Sequence, residues 1–282
     1  MSNSNSWNAG VSNLLKNIYH CADKSKWYDS VSEAYERTRP RYPQQILAQI
    51  QANAQLKPGK SVLEIGSGPA IASVELAKLG VNLVCLEPSQ AACKIARRKC
   101  SAYPQVKVIN TTFEAWELAE QKFDAVVATT SFHWVSPEIR TQKAAAALKK
   151  HGKLILMWNT PPQPSYEVYQ SLAHIYQELA PELARYEGHQ HHEQNLAYFG
   201  EEIIESGCFE NLITDKIISR VSYSVDDYLT LLSTLSPYIG LEPEVRSQLF
   251  KSMEQLLKLN YGEQLELQYL SLVQIAEKNS DY

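Results

Sequence analysis

The 282-residue sequence has no CxxC pair and no finger-like spacing of cysteine and histidine; Cys21, Cys85, Cys93, Cys100 and Cys208 are scattered and odd in number. That pattern speaks against a disulfide framework and against a structural zinc site. The expectation is free, mostly buried thiols in a cytoplasmic protein. Basic excess is also lacking: Lys and Arg number 27 against 31 Asp and Glu, a net charge of −4. A general nucleic-acid binder, which carries a basic face, is therefore disfavoured. Long apolar runs are missing. The uncharged stretches 125–137 and 154–166 are too short or too polar to span a bilayer, so no membrane partner is expected. The opening MSNSNSWNAG shows neither a basic n-region nor an apolar h-region, and the closing EKNSDY shows no lipidation motif. What remains is an ordinary globular composition, 44% hydrophobic, 10% aromatic and 21% charged, enough for one large core or two modest ones.

The Ser/Asn-rich opening reads as frayed, with a short helix behind it through Leu14, Leu15 and Ile18. From about 44 to 160, apolar runs alternate with helical patterns. Ser61–Ile65, Val81–Leu86, Val106–Ile109, Phe123–Ala128 and Leu154–Trp158 read as strands. They are continuous apolar runs, as strands covered on both faces must be. Helices are expected over Ile71–Leu79, from Pro88-Ser89 to about Cys100, and over Pro137–Lys150, with His151-Gly152 as the stop. Strand–helix–strand repetition implies an α/β fold, doubly wound, with a mostly parallel sheet. Beyond the Pro-rich connector 160–164, the pattern predicts a helix over 165–180, a polar loop over 186–195, and a short helix near 200–206. A strand near 210–219, helices near 225–235 and 243–259, and a last strand near 264–276 follow.

The densest chemistry lies at Glu64-Ile65-Gly66-Ser67-Gly68-Pro69-Ala70, between the first strand and a helix. Glycines there let the backbone turn sharply and come close to a ligand, and the helix start offers free N–H groups. Glu87 ends the next strand about 20 residues on, where a carboxylate can accept both hydrogen bonds of a ribose diol. In the dinucleotide fingerprint the sixth position must be small; here it is Ile71. Glu64 would also repel a pyrophosphate. A ligand with positive charge and no phosphate fits better, and S-adenosylmethionine, with an ammonium and a sulfonium, is the reading favoured over NAD.

The segments VLEIGSGPA, LEP, TTFEAW, FDAVVATTSFHWVSPE and LKKHGKLILMWN together resemble class I S-adenosylmethionine-dependent methyltransferases. The FHWV and WN segments, with Tyr35-Glu36-Arg37-Thr38-Arg39-Pro40-Arg41-Tyr42-Pro43, are similar to the small-molecule branch that includes trans-aconitate methyltransferases. The resemblance covers about 31–160 in motifs and, in element order, runs to 276. It implies a seven-stranded Rossmann-like sheet with a C-terminal helical lid. It also implies site roles. Gly66, Ser67 and Gly68 would form the loop under the methionine part, and Glu64 would lie beneath it. Glu87 would hold the ribose, with Pro88 and Ser89 edging the adenine. Phe113 and Glu114 would supply an apolar wall and an acceptor for the adenine amino group. Thr129, just past the fourth strand, would meet the methionine end, and Tyr35 and Arg39 would close over the cofactor. The sequence departs from the family at Pro69-Ala70, where a third glycine is usual, and at Lys150-His151-Gly152, which keeps one glycine of Pro-Gly-Gly.

His133 stands where a base or substrate contact would stand, although a structural imidazole bonded to a carbonyl is the commoner role. Trp134 and Trp158 read as core or pocket-wall aromatics. His189, His191 and His192 read as a solvated loop, and no metal site is expected. The expected organisation is an N-terminal segment, 1–43, closing over the cofactor. A core spans 44–221 and 263–282, and a helical lid over 222–262 selects the substrate through residues such as Tyr223, Tyr228 and Tyr238. The activity implied is in-line methyl transfer to a small organic acceptor. Two readings stay open beside it: a non-catalytic cofactor-binding module with a protein partner, and a protein or RNA methyltransferase.

Overall fold

The computed structural model describes residues 28–282. The expected short helix through Leu14 and Ile18, and Cys21, lie outside the described residues. In chain order the elements are α1 (Ser32–Thr38), α2 (Gln44–Asn53), β1 (Ser61–Ile65), α3 (Ile71–Lys78), β2 (Asn82–Glu87), α4 (Gln90–Lys99), β3 (Val106–Asn110) and β4 (Phe123–Thr129). A 3-10 turn (Phe132–Trp134), α5 (Pro137–Ala147), β5 (Leu148–Asn159), α6 (Tyr166–Leu179) and α7 (His189–Glu205) follow. The chain continues with β6 (Phe209–Ser224), α8 (Val225–Ser233), α9 (Ser236–Ile239), α10 (Pro243–Tyr261) and β7 (Gln264–Lys278).

Seven strands form one sheet in the order β3-β2-β1-β4-β5-β7-β6. β1 pairs parallel with β2 and β4, β2 with β3, and β4 with β5. β5 and β7 are antiparallel, so the sheet is mixed. All strands from β1 to β5 deliver their carboxyl ends to one edge, and β2 and β4, which flank β1, run to opposite sides of the topological switch. Ligands of open α/β sheets bind at such a point.

The chain divides into two compact units. The larger comprises Pro40–Thr160, Gly188–Ser219 and Tyr269–Tyr282. Its strands bury both faces. Val62, Leu83, Val127 and Ile155 pack with Ile46 and Ile50 of α2 on one side. Their chain neighbours Leu63, Val126, Leu154 and Leu156 pack with residues of α5 and α7 on the other. Successive strand side chains point to opposite faces, so a doubly covered strand needs apolar residues at every position. Leu63 is fully buried, and truncating such a side chain to Ala typically costs about 2–5 kcal/mol. α4 shows how the helices are delimited. The Ser89 hydroxyl accepts from the Ala92 N–H at 3.1 Å, and Arg97, Arg98 and Lys99 fill the last turn, where positive charge suits the helix dipole.

The smaller unit comprises the described residues up to Arg39, Pro161–Glu187 and Arg220–Gln268. Its core includes Leu172, Tyr176, Leu231, Leu249, Met253 and Leu267. Tyr176 and Tyr238 share a buried hydrogen bond between hydroxyls, 2.7 Å. Tyr223 donates to the Thr38 carbonyl, and the Ser224 hydroxyl accepts from Asp227 N–H at 3.0 Å to start α8. The boundaries thus differ from the expected 44–221 core and 222–262 lid. Pro161–Glu187 joins the helices after 220, because α6 buries Leu172, Ile175 and Tyr176 in their core.

Three local expectations are corrected. His189–Glu205 is one helix, not a loop followed by a short helix. Its first turns are polar and carry no apolar period, and only Phe199, Gly200 and Ile203 are buried. His151-Gly152 is not the stop of a helix. α5 ends at Ala147, and β5 begins at Leu148 with a register break between Phe123 and Ala125 of β4. His151 has φ +61° there. Thr129 is the last residue of β4 rather than the first after it.

Candidate functional site

The turn from β1 into α3 needs glycine at Gly66 for two reasons. Its φ is +63°, and a Cβ there would stand 2.6 Å from Ser131 Cβ. Gly68 has φ +54° and nothing within 4 Å of where its Cβ would be, so the loop presents open space at that position. Ala70 takes the left-handed conformation as the residue before α3, which an L-residue adopts at some cost. Its buried methyl packs with Ala96 and Cys100. The Ser67 N–H donates to the Leu86 carbonyl at 3.1 Å, which lays the loop across the end of β2.

Glu87 ends β2 and is buried. Gly68 N–H donates to its Oε2 at 2.8 Å and Ser89 N–H to its Oε1 at 2.7 Å. These two bonds orient the carboxylate. Asn110 Nδ2 donates to the carbonyls of Glu87 (2.9 Å) and Pro88 (2.8 Å), which fixes the turn behind the carboxylate. Pro88 is half-buried.

Glu64 has no exposed surface. Its Oε2 accepts from Ser73 Oγ (2.6 Å) and its Oε1 from Thr129 Oγ1 (3.1 Å), with Cys85 Sγ at 3.6 Å from Oε2. Burial pushes its carboxyl up to about 7, against the opposing pull of the hydroxyls of Ser73 and Thr129 and the Cys85 thiol; the charge of Glu87 pushes the same way as burial. Glu64 thus ties β1 to α3, β2 and β4 under the glycine loop, and Thr129 turns its hydroxyl inward to it.

Phe113 is buried in the core and stacks on Trp116, centroids 6.2 Å apart. Exposed Glu114 accepts from Ser136 N–H at 3.1 Å through Oε1. Lys143 Nζ donates to the carbonyls of Glu114 (2.9 Å) and Trp116 (2.7 Å), so α5 holds the segment after β3 in place. His133 lies in the 3-10 turn after β4, its ring 5.0 Å from Trp134 and 5.7 Å from Trp158. Tyr35 and Arg39 belong to the smaller unit. There Arg39 stacks over the Tyr35 ring at 4.5 Å and donates to Thr234 Oγ1 and O, both at 3.1 Å. His189, His191 and His192 stand in the first turn of α7; among the described residues no group of three or more His, Cys, Asp or Glu is placed to hold a metal.

The larger unit therefore gathers Glu64, Gly66, Ser67, Gly68, Glu87, Pro88, Phe113, Glu114, Thr129 and His133 on elements that end at the sheet's carboxyl edge. Three of its functional neighbours were not legible in the sequence. Ser73 looks like any polar residue on a helix, Asn110 lies outside the motifs, and Ser131, though inside FDAVVATTSFHWVSPE, carries no signal of its own there. The Ser67 hydroxyl is buried without a hydrogen-bond partner, and Gly68 faces open space.

Comparison with known proteins bears on the family and the fold. Residues 62–152 match the family described as a methyltransferase domain. An uncharacterized methyltransferase of Mycobacterium tuberculosis (strain H37Rv) is 30% identical over 138 residues, 49% of this chain and 54% of that protein. The chain thus spans about half the length of that relative (54%). An uncharacterized methyltransferase of Schizosaccharomyces pombe is 21% identical over 225 residues, 79% of this chain and 84% of that protein. Among solved structures, a phosphoethanolamine N-methyltransferase 2 of Haemonchus contortus, in complex with phosphomonomethylethanolamine and S-adenosylhomocysteine, superposes with a TM-score of 0.53. It shares 15% identity, covering 91% of this chain and 58% of that one. Residues 62–152, within the larger unit, are thus similar to a methyltransferase domain, and the fold is that of the solved structure. Among the described residues no helix is long and apolar enough to cross a membrane.

Proposed function

We propose that the protein is an S-adenosylmethionine-dependent methyltransferase that acts on a small organic acceptor. The observation that carries the reading is Glu87. Its two oxygens are each oriented by one backbone N–H, from Gly68 and from Ser89. In this reading the carboxylate so oriented, at the end of β2 beside a glycine loop, takes the hydroxyls of a ribose diol. Ile71, at the position where the dinucleotide fingerprint needs a small residue, disfavours a dinucleotide. S-adenosylmethionine, when bound, supplies a methyl group already activated by its sulfonium.

The chain's own contribution is orientation. Gly66, Ser67 and Gly68 would hold the donor's methionine part, with Ser67 Oγ as a ready donor. Pro88 and Phe113 would border the adenine, and Glu114 would accept from its amino group. Glu64 and Thr129 act beneath the loop, holding its strands together. Alignment of two reactants in a near-attack geometry can supply about 7–11 kcal/mol of barrier reduction. A base is needed only for a hydroxyl or protonated amine acceptor, and His133 is the candidate for that step. Tyr35, Arg39 and the 222–262 lid are assigned to this function by sequence resemblance. So is the small-molecule, trans-aconitate-methyltransferase-like acceptor class.

The test is methyl transfer from labelled S-adenosylmethionine to a panel of small carboxylic acids and amines. Label in any low-molecular-weight product supports the reading. Label only in added protein or RNA overturns the acceptor class.

A further inference from the structure

Thr130 has φ +53°. Of the six non-glycine residues with positive φ among those described, it is the one with a branched β-carbon. For such a residue this backbone conformation is a true outlier, and it persists only where the surroundings impose it. The surroundings are specific. Thr130 N–H donates to the Met157 carbonyl at 2.7 Å. Its Oγ1 shares a 3.0 Å hydrogen bond with the Tyr42 hydroxyl and accepts from Asn159 N–H at 3.2 Å. Asn159 is itself fixed: its Nδ2 donates to the Pro40 carbonyl at 3.1 Å, and its Oδ1 accepts from Ser271 Oγ at 2.6 Å.

The residues on either side of Thr130 face the candidate site. Thr129 donates to Glu64 at 3.1 Å. Ser131 donates to the Ile65 carbonyl, and its Cβ stands 2.6 Å from where a Gly66 Cβ would be. One strained residue thus lies between two that grip the strand end and the glycine loop. The strain is held by a relay, Tyr42–Thr130–Asn159–Ser271, that lies wholly in the larger unit.

We propose that Thr130 is a positioning residue. Its left-handed backbone, locked by Tyr42 and Asn159, seats Ser131 against Gly66 and so sets the shape of the Gly66–Gly68 loop before any ligand arrives. The inference rests on the donor-binding role proposed above for that loop, but its first test does not. Tyr42 and Thr130 are assigned no direct contact with the donor; they act through Ser131.

The experiment is amide hydrogen exchange on the ligand-free full chain, with Tyr42→Phe, Thr130→Gly and Thr130→Ser. Thermal melts and titration with S-adenosylmethionine accompany it. Tyr42→Phe is expected to speed exchange at Gly66, Ser67, Gly68 and Ala70 by about three- to tenfold, the loss of roughly one net hydrogen bond, while α6 in the smaller unit stays unchanged. Thr130→Gly is expected to do the same, and Thr130→Ser to restore the wild-type pattern. Donor affinity should fall by a similar factor in the first two variants. Unchanged loop exchange in Tyr42→Phe overturns the proposal, as does a uniform rise across the whole chain, which would mark a merely structural role. If Thr130→Gly fails to fold, Tyr42→Phe decides alone. Faster loop exchange in a protein whose wild type ignores S-adenosylmethionine would uphold the positioning role and sink the proposed donor instead.

Discussion

Glu87 and Gly68, nineteen residues apart, are joined by a 2.8 Å hydrogen bond from the glycine N–H to the carboxylate. The end of β2 thereby fixes the loop at the end of β1, and the same side chain is the one proposed to hold the donor's ribose.

Glu87→Ala removes both functions. Donor affinity should weaken by about 1–3 kcal/mol, roughly five- to 150-fold, from the lost charge-assisted hydrogen bonds. Unlike a purely ligand-facing residue, Glu87 should also contribute to stability, because the Gly68 and Ser89 N–H groups lose an acceptor. Calorimetric titration and a thermal melt read the two effects separately. Unchanged affinity would remove Glu87 from the site.

Gly66 and Gly68 should respond differently to the same methyl group. Gly66→Ala meets Ser131 at 2.6 Å in a left-handed backbone and should destabilise the fold by at least about 2 kcal/mol. Gly68→Ala meets nothing within 4 Å, so only the backbone penalty of about 1–2 kcal/mol remains. The fold should survive while the added methyl intrudes where the donor would lie. Denaturant melts with parallel titrations check the contrast, and equal stability losses would contradict it.

Glu64 should make stability depend on pH with an uncommon sign. Burial holds its folded carboxyl up to about 7 against an ordinary value of 4.5. The folded state therefore binds more protons than the unfolded chain between those values. Its stabilising share is full below about 4.5 and is lost as pH rises toward 7, by about 3 kcal/mol in all. Glu64→Gln should flatten that slope in urea melts at pH 5, 6 and 7. An equally steep slope in the variant would assign it elsewhere.

Asp124 should act in the opposite sense. Burial works to raise its carboxyl, but the Ser61 N–H and the ammonium groups of Lys149 and Lys60 outweigh it and bring it down to about 2 from 3.8. Its share of stability is present above about 4 and is lost as pH falls toward 2. Solvent screening of the partly exposed lysines limits it to about 1–2 kcal/mol. Asp124→Asn should lower stability at pH 7 and shrink the acid limb of the melt profile. A variant as stable as wild type at pH 7 would contradict this.

The sequence was most legible where the chemistry is local. The run Ser61–Ile65, its glycine turn and Glu87 fall within 27 residues, and the structure joins them as hydrogen-bonded neighbours. Legibility failed where structure depends on distant partners. An apolar run such as Leu267–Ala276 declares burial but not direction, so the antiparallel pairing of β7 with β5 had no local signal. The polar start of α7 carried no apolar period, although of its first six residues only Gln190 and Gln194 are exposed. Ser73 matters through a carboxylate nine positions away, and Thr130 through a backbone angle; neither leaves a trace in residue type. The joining of α6 to the helices beyond Arg220 depends on tertiary packing alone.

The ends of β1 and β2 are proposed to bind S-adenosylmethionine rather than a dinucleotide. Isothermal titration of the full chain with S-adenosylmethionine, and separately with NAD, tests it most directly. Saturable one-to-one binding of the first and none of the second is the predicted result. Binding of NAD, or silence with millimolar S-adenosylmethionine, would contradict it.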